Sequence, residues 1–86
     1  MENKYEKAKV LVNVPSFLKA GAKFKGVHIN GGNNTCTLLS IDKDKNKAVV
    51  DIEMPNTSWV EDDWNLQHLI WGFENKNYIL NQPEGR

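Results

Sequence analysis

Apolar and polar positions alternate through the middle of the chain and change period toward its end. Ala48, Val50, Ile52 and Met54 alternate with Lys47, Val49, Asp51 and Glu53. That period of two predicts a strand with one buried face and one mostly wet face. The preceding run TCTLLSID is β-rich as well, and four polar residues, KDKN, join the two, so a hairpin is expected. Pro55 and Asn56 end its second strand. Upstream, KVLVNV (9–14) predicts a strand that Pro15 ends or confines to a sheet edge. AKFKGVHIN (22–30) predicts another, with a bulge or bend at Gly26, where the apolar register shifts to Val27 and Ile29. NGGNN (30–34) reads as a turn that tolerates positive φ. NYIL (77–80) predicts a short last strand, residues 1–8 a loosely packed arm and 81–86 a tail.

The decamer WNLQHLIWGF (64–73) has helix spacing in two registers. At about 100° per residue, Leu66, Leu69, Ile70 and Phe73 fall in an arc of about 100°. Trp64, His68, Trp71 and Asn75 fall in an arc of about 60° on the opposite side. The aliphatic arc is the expected core face. Asp62 or Asp63 is the preferred N-cap, since both acids suit the positive end of the helix dipole. A rival start is the capping box of Ser58 and Glu61, which would begin the helix at Trp59. Gly72 reads as a weak point near the helix end. For the face of Trp64, His68 and Trp71, two readings stand. Either Val10, Val12, Val14, Phe17 and Leu18 fold over it, or it is a contact surface for a protein partner or a second copy of the chain.

The element order is β-β-β-β-(β)-α-β, an α+β class: a small antiparallel sheet or a partly open barrel of about five strands, with one helix before the last strand. KAGAKFKGVHI, the glycine-rich turn, TCTLLSIDKDKNKAVVDIE and SWVEDDWNL resemble the strand order of SH3-like barrels. The pattern is closest to small proteins encoded by bacteriophages and mobile elements, over roughly residues 19–80. SH3-like barrels typically have a single 3-10 turn where this sequence predicts about three helical turns. The resemblance implies a peptide binder, a nucleic-acid binder or an assembly part, and the fold alone does not choose among them.

Composition narrows the chemistry. The chain has 86 residues, one domain's worth, with zero formal net charge. Residues 1–26 hold six lysines against two glutamates, whereas residues 48–75 hold six acids and no lysine or arginine. A single cysteine, Cys36, permits no internal disulfide, which points to a reducing, cytoplasmic setting. The N-terminal run does not read as a secretory signal, and no apolar run has the length of a membrane span. Asp62 and Asp63 are adjacent and diverge on a helix, so they do not form an acid/base pair. Cys36 with the distant His28 and His68 shows neither a nucleophile signature nor zinc-ligand spacing. DKDKN lacks the glycine and terminal glutamate of a calcium loop. The expectation is therefore a non-enzymatic protein–protein interaction module without metal or cofactor, an accessory or inhibitor of a host or viral assembly. Its contact residues would be Trp64, His68, Trp71 and Asn75. The alternative is a weak nucleic-acid binder using the basic N-terminal half, Lys9, Lys19, Lys23 and Lys25 together with Lys4 and Lys7, with Tyr5, Phe17 and Phe24 interleaved among them. The acidic half and a pI of about 6.7 count against it.

Overall fold

The structure, a computed structural model, describes residues 13–81. Five strands form one open antiparallel sheet in the order β4-β3-β2-β1-β5. They are β1 (Lys23–Gly26), β2 (Thr35–Asp42), β3 (Lys47–Met54), β4 (Thr57–Asn65) and β5 (Tyr78–Leu80), with the helix α1 (Leu66–Glu74) between β4 and β5. The α+β class and the helix before the last strand follow the pattern of the sequence.

The β2–β3 hairpin closes through Asp42–Lys47, with Cys36 opposite Ile52 and Leu38 opposite Val50. These four side chains are buried, as the alternation requires. A bulge between Leu38 and Ser40 leaves Leu39 exposed. α1 lays Leu66, Leu69 and Ile70 onto the same sheet face, where they join Leu18, Phe24 and Ala48. Phe73 packs at the rim of this core, with ring centroids 5.1 Å from Phe24 and 5.7 Å from Tyr78.

Several expectations are corrected. The strand over 22–30 is shorter, because the chain turns at Val27 and enters a 3-10 turn at Asn30–Gly32. Asn34 replaces the missing strand pairing. Its Oδ1 accepts from the Gly26 N–H at 2.9 Å, and its Nδ2 donates to the carbonyls of Gly26 at 2.9 Å and Ile29 at 2.6 Å. Residues 9–12 of the KVLVNV run lie outside the described residues, as do 1–8 and 82–86, and Asn13 and Val14 form no strand.

The helix begins later than Asp62 or Asp63, and also later than Trp59. β4 runs on to Asn65, and its register against β3 shifts between Glu61 and Trp64. Asp62 and Asp63 occupy that bulge, where Asp63 accepts a 2.7 Å salt bridge from Lys47. The bulge turns Trp64 to face inward opposite the small Ala48. Burying that ring extends the sheet past the point where the acids would cap a helix.

Gly72 is a close-packing site rather than a flaw. A Cβ there would lie 2.3 Å from the Tyr78 ring. The helix then ends in a Schellman arrangement. The Asn77 N–H reaches the Gly72 carbonyl at 2.7 Å and the Lys76 N–H reaches that of Phe73 at 3.2 Å, with Lys76 left-handed at φ 66°.

Candidate functional site

The exposed face of α1 is built by its N-terminal cap. Nine residues make a helix too short to stand alone, and its first N–H groups have no partners inside it. Two asparagines supply them. Asn65 Oδ1 accepts from the His68 N–H at 2.9 Å. Asn46, in the β2–β3 turn with φ at +57°, accepts from Leu66 through its carbonyl at 3.0 Å and from Gln67 through Oδ1 at 2.8 Å. DKDKN is thus a turn whose last residue seats the helix. Sequence reading missed that role, since Asn46 and the helix start are far apart along the chain.

With the helix seated, His68 and Trp71 project from it one turn apart. Their rings stack nearly parallel, with centroids 5.6 Å apart and planes at 7°. Trp71 is 49% exposed, and His68 is exposed too. Asn75 sits at the helix C-cap and donates from Nδ2 to the Trp71 carbonyl at 2.8 Å. Its side chain fixes the helix end next to the tryptophan.

Trp64 does not belong to this face. It lies half-buried on β4, 6.4 Å from the Phe24 ring and 5.8 Å from that of Tyr78. The predicted arc assumed a helix from residue 64, whereas Trp64 precedes the cap. In the described part of the proposed cover, Phe17 pairs with Phe73 and not with Trp71. Val14, Phe17 and Leu18 pack on the core side, Phe17 edge-on to Phe73 at 5.3 Å. Val10 and Val12 lie outside the described residues.

Of the aromatics in the nucleic-acid alternative, Phe24 is 0% exposed and cannot stack on a base, Phe17 is exposed beside Lys19 and Lys23, and Tyr5 lies outside the described residues. Lys19, Lys23 and Lys25 are exposed, with Lys23 donating to Thr37 Oγ1 at 3.1 Å. Lys9 lies outside the described residues.

Cys36 is closed from solvent, and its Sγ meets Asn34 Oδ1 at 3.5 Å. Burial is the main cause that pushes its thiol up to about 11; the Gly26 backbone opposes this and the Asp51 charge adds to it. At neutral pH it is a protonated core side chain, the opposite of an activated nucleophile. Burial also raises the Tyr78 phenol, with a smaller contribution from Cys36. Among the described residues, no three histidine, cysteine or acidic side chains gather as a metal site. No helix among them is long and apolar enough to cross a membrane. A shallow depression of about 610 Å³ beside Phe17, Ala22 and Leu80 gathers only Lys19 and Lys23 as charged groups.

No family model, curated protein or solved structure matches the chain.

Proposed function

We propose that this chain is a non-enzymatic interaction module that docks a protein partner on the α1 face formed by His68, Trp71 and Asn75. The observation that carries the reading is the His68–Trp71 stack, a pre-ordered aromatic platform half open to solvent. Tryptophan is enriched at interface hot spots because it joins a large apolar area to a polar N–H. Stacking on His68 limits the rotamer freedom that would otherwise be lost on binding. An SH3-like architecture is part of the proposal. It is supported by the continuous antiparallel order, with β1 between β2 and β5, and by the helical element ahead of the last strand. Given the pattern resemblance to phage and mobile-element proteins, the partner class is a component of a host or viral assembly.

The test is capture from the native cell, followed by titration of the purified partner. Trp71→Ala is expected to weaken binding at least about tenfold while changing stability by less than about 1 kcal/mol. Unchanged affinity for the purified partner would remove the α1 face from the interface. Loss of folding would make Trp71 a structural residue.

A further inference from the structure

The sheet has a second face, turned away from α1, that nothing among the described residues covers. Strand register fixes what it presents. Phe24 and Cys36 point inward, so their neighbours Lys23, Lys25, Thr35 and Thr37 point outward on β1 and β2. Ile52 and Val50 point inward on β3, so Asp51 and Glu53 point outward. Two cross-strand rows result. One runs Val60–Asp51–Thr37–Lys23 and the other Ser58–Glu53–Thr35, continuing to Lys25 and Ile79. Each row is acidic on the β3 side of β2 and basic on the β1 side. Among the described residues the only ion pair is Lys47–Asp63, so these four charges have no salt-bridge partner there. Val60 and Ile79 flank them, 55% and 45% exposed.

This layout is complementary to itself. A twofold axis running along β2, above the face, carries β1 of one copy over β3 of the other and keeps each row in register. Lys23 then faces Asp51 of the second copy, Lys25 faces its Glu53, and the threonines of β2 lie at the axis. A rotation preserves the right-handed twist, so the two sheets follow one another instead of diverging. Turning the axis across the strands instead would set lysines over lysines and acids over acids.

We propose that this outer face pairs with that of a second copy of the chain, forming a twofold dimer through reciprocal Lys23–Asp51 and Lys25–Glu53 contacts. From strand spacing and rise, the face offers on the order of 400 Å² per copy, or about 800 Å² in total. That is below the size of standard stable interfaces, so the dimer is weak and forms at high protein concentration. It uses neither His68 nor Trp71, and it stands or falls apart from the proposed partner face.

The experiment is sedimentation velocity on the full chain. Dimer is expected at low ionic strength, with a dissociation constant that rises about tenfold or more between about 50 mM and 500 mM salt, as exposed charges are screened. The paired variants Lys23→Glu/Lys25→Glu and Asp51→Lys/Glu53→Lys should each be monomeric, with unchanged circular dichroism. An equimolar mixture should regain a dimer, because each variant restores the complement the other lost. Trp71→Ala should dimerise like the parent. As a check that needs no charge change, Thr37→Cys should cross-link to itself with a short bis-maleimide, the buried Cys36 staying unmodified. A parent chain that remains monomeric at low salt and high concentration would overturn the proposal. So would a dimer insensitive to salt, a mixture that fails to reassociate, or a Thr37→Cys chain that does not cross-link.

Discussion

The β2–β3–β4 meander and the β1–β5 flank are held by different means. The meander has strands of eight and nine residues paired along most of their length. Its stability is spread over a ladder and an alternating apolar face, and no single outward side chain matters much. The flank has strands of four and three residues. It depends on individual positions: Asn34 pairing with Gly26, Gly72 admitting the Tyr78 ring, and Lys76 reversing the chain. Where backbone pairing is short, single side chains complete it.

The largest effect that tests this contrast is expected at Asn34. Alanine there removes the partners of the Gly26 N–H and of the Gly26 and Ile29 carbonyls in a nearly closed site, at a cost of about 3 kcal/mol. Thr37→Ala, on the outer face of β2 in the meander, should cost under about 0.5 kcal/mol. Chemical denaturation of both reads the difference, and equal losses would erase the distinction between the two regions.

Next in size is an alkaline effect centred on Cys36, where the meander meets the flank. Its folded pKa lies above the unfolded value, so its contribution is complete below about 9 and is lost as pH rises toward about 11. A change of that size corresponds to on the order of 2–3 kcal/mol. The raised Tyr78 phenol acts in the same direction. Melting temperature should fall between those pH values and fall less steeply in Cys36→Ala, whereas identical slopes would exclude the thiol as the cause.

The smallest effect has the opposite sign. Lys76 holds a left-handed conformation that glycine adopts without steric cost, so Lys76→Gly should stabilise by up to about 1 kcal/mol. A lower melting temperature would mean that the lysine side chain contributes more than its backbone strain costs.

The same contrast explains which parts could be read from the sequence. The hairpin was legible because period and turn chemistry are local signals, and so was the buried arc of Leu66, Leu69 and Ile70. The helix start was not. Asp62 and Asp63 look like caps, but inward placement of Trp64 opposite Ala48 decides in favour of the sheet, and that pairing is tertiary. The early helix start then displaced Trp64 onto a helix face to which it does not belong, since it packs half-buried on β4 against Phe24 and Tyr78. Asn34 was hidden among turn residues, and Gly72 looked like a defect because its reason, Tyr78, lies beyond the helix.

Asn46 also ties the helix to the hairpin. It holds Gln67 across 21 residues of chain, so the Leu66 and Gln67 N–H groups have their partners only while the β2–β3 turn is in place, whereas His68 N–H is capped locally by Asn65. A nine-residue segment lacks the length to nucleate alone. The helix therefore depends on the hairpin for two of its first-turn partners. Local opening that frees the Asn46 turn loosens the helix that carries the aromatic platform.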